Sequence, residues 1–111
     1  DGGAGATREQ RQELHIAAVV ACNFSNYLIG RAESLLTSHG LPPKAILPLL
    51  DEMNEKLHHL PAVEAQPGPA QRGDKETIRR HQAFLIRSGE TELAALYDEL
   101  STAIQHIYGT I

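Results

Sequence analysis

The longest unbroken apolar rhythm in the chain runs from about Thr7 to Ser38, and it settles the fold class before composition is considered. Leu14, Ala18, Ala21, Ser25, Leu28, Ala32 and Leu35 recur every three or four positions, the spacing of one helical face. Thr7 stands where an N-cap belongs, with Gln10 three residues later as its capping-box partner. Gly40 suits the left-handed position that closes a helix, and Pro42-Pro43 forbid continuation. The helix so defined has roughly 30 residues against a globular average of about 12. A helix of that length is the spine of a bundle or extends past its own domain. The small residues at the centre of its stripe (Ala18, Ala21, Ser25) would let another helix approach closely.

Three further helices and no strand are expected. The second covers about Pro43 to Leu60, with Ile46, Leu49 or Leu50, Met53, Leu57 and Leu60 as its buried stripe. Pro48 lacks a backbone donor, which predicts a kink or a tight first turn before it. The stretch from Pro61 to Gly73 is rich in proline rather than in Gly and Ser, so it reads as an ordered connection, with a short turn at Ala62 to Ala65. The third helix runs from Lys75 to Arg87 under an Asp74 cap, with Ile78, Ala83 and Phe84 or Leu85 inward. The fourth covers about Glu92 to Ile107, with Thr91 as its cap and Leu93, Leu96 or Tyr97, Leu100 and Ile104 as its apolar face. The expectation is an all-α, four-helix bundle-like domain over residues 7–111, preceded by a linker at residues 1–6. A glycine-rich start of that kind suggests a domain cut from a longer polypeptide. Aromatics make up only 5% of the chain, so the core must be aliphatic.

Charge and cysteine content narrow the function classes. Ten basic against 14 acidic residues give a net charge of −4 without a basic stripe, which argues against nucleic acid as a partner. No apolar run reaches the ~18 residues of a membrane span. Cys22 is alone, so no internal disulfide can form; in an apolar helical stretch it reads as a buried thiol, and the whole as a cytoplasmic domain. Glu55 and His59 stand one helical turn apart beside His58, but two ligands do not make a metal site.

The segment that ordinary helix packing does not explain is Gly68-Pro69-Ala70-Gln71-Arg72-Gly73-Asp74 and the helix after it. Two glycines (Gly68, Gly73) and two prolines (Pro69 and the preceding Pro67) fix an irregular backbone with Arg72 at its tip. A guanidinium beside a helix N-terminus can pair with carboxylate or phosphate oxygens; alternatively Arg72 ties the loop to a carboxylate such as Glu64. His81 lies on one face with Asp74 and Thr77, and could move a proton or bond across to the first helix. A second polar edge runs along the first helix. There His15 and Asn23 lie about two turns apart with Val19 between them, and Asn26 and Tyr27 follow one turn on. Such an edge meets either a substrate or an interhelical hydrogen-bond network.

These residues carry a family resemblance. Leu14-His15-Ile16-Ala17-Ala18-Val19, Ala21-Cys22-Asn23-Phe24, Leu47-Pro48-Leu49, Gly68-Pro69-x-x-Arg72-Gly73-Asp74 and His81 resemble an uncharacterised helical domain. It follows a Rossmann-like NADP-binding domain in a family of bacterial oxidoreductase-like proteins. These are similar to deazaflavin-dependent NADP oxidoreductases, pyrroline-carboxylate reductases and ketopantoate reductases, and the fold resembles the C-terminal domain of 6-phosphogluconate dehydrogenase-like proteins. The resemblance covers about Arg8 to Ile107. It implies a homodimeric domain that closes the substrate side of a nicotinamide cleft. His15 and Asn23 would be the catalytic groups, and Asn26, Arg72 and His81 would contact a small-molecule substrate. NADP or NAD would be held by the N-terminal Rossmann-like domain, with no cofactor-binding residue in this chain, which would not turn over alone. Pro67 departs from the threonine usual before Gly-Pro, so a hydroxyl contact is missing there. The rival reading is a non-enzymatic helical module that dimerises through the Ala18/Ala21/Ser25 face.

Overall fold

The computed structural model describes residues 5–111, and every described element is helical. The linker expected at residues 1–6 falls mostly outside the described residues. The chain divides into two compact units, one ending at Asp51 and one from Glu52 to Ile111.

In the first unit, α1 (Arg8–Ala18), a π turn (Val19–Asn23) and α2 (Phe24–Ser38) form one helical run of 31 residues. Its start is as the sequence predicts: Thr7 Oγ1 accepts from the Gln10 N–H at 3.0 Å, and Gln10 Oε1 accepts from the Thr7 N–H at 2.8 Å. Gly40, at φ 76°, ends the run. The turn before Pro48 is tight, as expected: Pro43–Ile46 is a single 3₁₀ turn leading into α3 (Leu47–Leu57). Lys44 Nζ reaches Glu33 Oε2 at 3.3 Å and ties this turn back to α2.

One departure shapes everything that follows: no residue of the 31-residue run is buried. Leu14, Ile16, Val20, Phe24 and Tyr27 each keep more than half their surface exposed. Cys22, expected as a buried thiol, is exposed as well. The stripe expected to be buried on α3 is also largely open, with Met53 and Leu57 exposed. Apolar spacing tells which face seeks cover, and the described residues of its own unit cover little of it.

The second unit holds α4 (Ala62–Ala65), α5 (Pro69–Arg72), α6 (Lys75–Arg87) and α7 (Thr91–Tyr108). Its small core is Ala70, Ile78, Leu85 and Ala94. Leu85 is the buried member of the Phe84/Leu85 pair, and Ala83 faces out. The Pro61–Gly73 connection is pinned by the end of α7. The Tyr108 hydroxyl donates to the Val63 carbonyl, and Thr110 Oγ1 donates to the Ala70 carbonyl at 2.7 Å. Gly73 takes φ 71°, which favours glycine, and a Cβ there would crowd Thr110 Cβ at 3.3 Å. The α7 cap lies one residue earlier than expected: Glu90 is the N-cap and Thr91 is already helical.

Candidate functional site

The π turn sets the geometry of the first unit. The Phe24 N–H bonds to the Val19 carbonyl, an i→i+5 link that takes one extra residue into the turn. In an unbroken α-helix at ~100° per residue, the eight positions from His15 to Asn23 span about 800°, leaving the side chains roughly 80° apart. The extra residue removes about 100° of phase, so the same eight positions fall within about 20° of two whole turns. His15 and Asn23 are therefore brought onto one line. Tyr27, one turn beyond Asn23, joins it, while Asn26 is turned away by about 80°. At constant helical period Asn26 falls within about 20° of His15; with the π turn the backbone phase puts Tyr27 there instead.

His15, Asn23 and Asn26 are exposed, and none has a side-chain hydrogen bond among the described residues. They do not form the internal network that was the alternative reading. Gly30 and Ser34 continue the same line. They border an open cavity of about 450 Å³, lined also by Glu33, Thr37, Ser38 and Pro43. Beyond the local helix backbone, nothing among the described residues lies within 4 Å of a Cβ placed at Gly30.

In the second unit, Arg72 does not stand on an irregular loop tip. It closes the one-turn helix α5, entered through Gly68 at φ 110°. Its guanidinium lies 3.8 Å from Asp74 Oδ2, so the carboxylate it meets is Asp74 rather than Glu64. Asp74 caps α6. Its two oxygens accept from the Thr77 hydroxyl at 2.7 Å and the Thr77 N–H at 3.1 Å. These bonds, with smaller help from Arg72 and Arg80, hold the Asp74 carboxyl below its ordinary value. An anion at this helix start would have to share Arg72 with a carboxylate already in place.

His81 is exposed, and its Nδ1 lies 2.8 Å from the Tyr97 hydroxyl. The two rings stand edge to face at 89°, with centroids 5.8 Å apart. Beside them Gln82 Nε2 donates to Asp98 Oδ1 at 3.0 Å. Two successive residues of α6 are thus tied to two successive residues of α7. Tyr97 escapes a motif-based reading because apolar spacing makes it a core candidate. Hairpin symmetry could have found it: His81 and Tyr97 each lie eight residues from Gly89, the glycine of the turn.

Among the described residues no three His, Cys, Asp or Glu side chains gather to hold a metal, and the His59–Glu55 pair closes on itself at 2.9 Å. No described helix is long and apolar enough to cross a membrane.

Residues 4–104 match the family model described as a domain of unknown function, DUF2520. The chain belongs to this family. A crystal structure of a candidate NADP oxidoreductase from Bacteroides fragilis is similar to it, at 41% sequence identity and a TM-score of 0.83. The match covers 88% of this chain and 37% of that one, so the DUF2520 chain spans little more than a third of that relative's length. No curated protein matches it. The DUF2520 chain is thus a helical domain of a kind associated with NADP oxidoreductases. Its polar groups gather on two elements: the rephased face of the long helix, with His15, Asn23 and Tyr27, and the α6–α7 pair, with His81 and Tyr97.

Proposed function

We propose that this chain is the substrate-side domain of a bacterial, cytoplasmic NAD(P)-dependent oxidoreductase, and that it dimerises with a second copy of itself. The observation that carries the reading is the long helix with no buried residue, whose His15–Asn23 line is flanked by the exposed Leu14, Ile16, Val20 and Phe24. Polar groups within an apolar surface suit a wall that closes over a reacting centre, where water is excluded and each hydrogen bond strengthens. No strand occurs among the described residues, so a Rossmann-type cradle for the nucleotide would come from a neighbouring domain.

When bound there, NADP or NAD supplies or accepts the hydride. This chain's share is the proton. As a small carbonyl or imine takes hydride at carbon, the π bond breaks toward oxygen or nitrogen. His15 donates a proton to that atom and recovers it in the reverse direction. Asn23, on the same line, orients the substrate through its amide. Asn26, turned aside, contacts the substrate's periphery. Arg72 and His81, on the second unit, are proposed by the family resemblance alone as further groups for a substrate's polar atoms.

The test is turnover. This chain, joined to its N-terminal nucleotide-binding part, is expected to oxidise NADPH with a carbonyl or imine acceptor. His15→Ala is expected to lower kcat/KM by about 10²- to 10⁴-fold, the range of general acid catalysis. An unchanged kcat/KM removes His15 from the chemistry. Absence of NADPH-dependent turnover across such acceptors favours the non-enzymatic dimeric module.

A further inference from the structure

His81 is exposed, yet its ring is held on one side only. A histidine that merely decorated α6 would rotate freely. Here Nδ1 is engaged at 2.8 Å by a hydroxyl on the facing helix, and the perpendicular stack against the Tyr97 ring limits the ring's other freedom. The neighbouring Gln82–Asp98 bond fixes the register of the two helices at the same level. Ile78 and Leu85, one turn to either side on α6, are buried, so the backbone that carries His81 is anchored above and below.

The direction of the bond follows from chemistry. Between a phenol and a neutral imidazole, the phenol is the stronger acid and the ring nitrogen the stronger base, so the O–H donates to Nδ1. The imidazole's one N–H must then sit on Nε2, at the far side of the ring from α7.

We propose that Tyr97 is a positioning residue for His81, holding the imidazole as its Nε2–H tautomer and presenting that N–H as a donor to an oxygen acceptor of the substrate. The donor role rests on the substrate-side reading above; the tautomer does not, and it can be read from this chain alone. Burial pushes the Tyr97 phenol above its ordinary value, so its O–H persists through neutral and mildly alkaline pH.

The experiment is long-range ¹H–¹⁵N correlation spectroscopy of the full chain at mildly alkaline pH, with the His81 signals identified by their loss in His81→Gln. The expected wild-type pattern has Nε2 protonated and Nδ1 bare. In Tyr97→Phe, which keeps the ring and removes the donor, the Nε2–H to Nδ1–H ratio is expected to fall roughly fivefold, the worth of one ordinary hydrogen bond. A wild-type spectrum with Nδ1 protonated overturns the proposal, and so does a ratio that Tyr97→Phe leaves unchanged. Should Tyr97→Phe fail to fold, the wild-type spectrum decides by itself. In the joined protein, His81→Gln with unaltered kcat/KM, where His15→Ala is impaired, overturns the donor role while the substrate-side reading stands. An unimpaired His15→Ala counts against that reading and leaves the tautomer result untouched.

Discussion

Replacing Gly30 with alanine is expected to make the isolated chain more stable. Gly30 lies inside α2 with helical backbone, where glycine is the costliest ordinary residue. Beyond the local helix backbone, a methyl group built there meets no atom within 4 Å, so alanine brings no clash and removes backbone freedom only from the unfolded chain. The gain is about 0.5–1 kcal/mol, which for a domain of this size raises Tm by roughly 2–6 °C. With no tryptophan in the sequence, a far-UV circular dichroism melt is the natural assay, run at two protein concentrations. A lower Tm would refute the reasoning, because it would mean that something already lies against Gly30 in the free chain. The proposed function adds a reversal of sign. Gly30 continues the His15–Asn23 line, so in the joined, closed protein the same methyl overpacks the covered face. Such a misfit costs about 1–3 kcal/mol, seen as a lower Tm or a higher KM.

Two other outcomes follow from particular contacts. Deleting Ala21 removes the extra residue of the π turn and leaves His15 and Asn23 seven positions apart, about 700° and still near two whole turns. The chain is expected to melt no lower than wild type. Deleting Leu35 instead, in the plain α-helical part of the run between Glu33 and Lys44, rotates everything after it by about 100° relative to Glu33 and swings Lys44 away, so it lowers Tm; equal losses in the two deletions would contradict the π-turn register. Asp74, held below its ordinary 3.8 chiefly by the Thr77 hydroxyl, contributes stability that is complete above that value and is lost as pH falls through its depressed folded value. Asp74→Asn keeps a cap but cannot titrate, so its Tm deficit relative to wild type is expected to shrink on acidification from about pH 6 to about pH 2; a constant deficit would contradict the assignment.

Local chemistry made the helix ends legible. The Thr7–Gln10 box, Gly40 and the Asp74 cap follow from side-chain and backbone rules that act within a few residues, and each stands where the sequence places it. The tight turn at Pro43–Ile46 and the short helix at Ala62–Ala65 were legible for the same reason, since proline limits what the backbone can do. The π turn was not. Val19-Val20-Ala21-Cys22-Asn23 contains neither glycine nor proline, and every phase assigned beyond it assumed a constant period. Burial was misjudged at Cys22 and along the long helix because apolar spacing marks a face that needs cover without saying whether the same chain provides it. Of the candidate groups, His15, Asn23 and His81 lie on the helices expected of them, and Arg72 proved to end a helical turn beside Asp74. Tyr97 meets His81 through a contact between residues sixteen apart, which motif spacing does not reveal.

The claim beneath all of this is that the rephased face of the long helix looks toward a nucleotide-holding neighbour. Histidine footprinting with diethyl pyrocarbonate reads that directly. In the isolated chain His15 is expected to react as readily as His59, whose side chain is 69% exposed. In the joined protein with NADPH, His15 is expected to be protected at least about tenfold, while His59 keeps its rate, a tenfold change being ~1.4 kcal/mol of closure. Equal modification of His15 in both states would contradict the account.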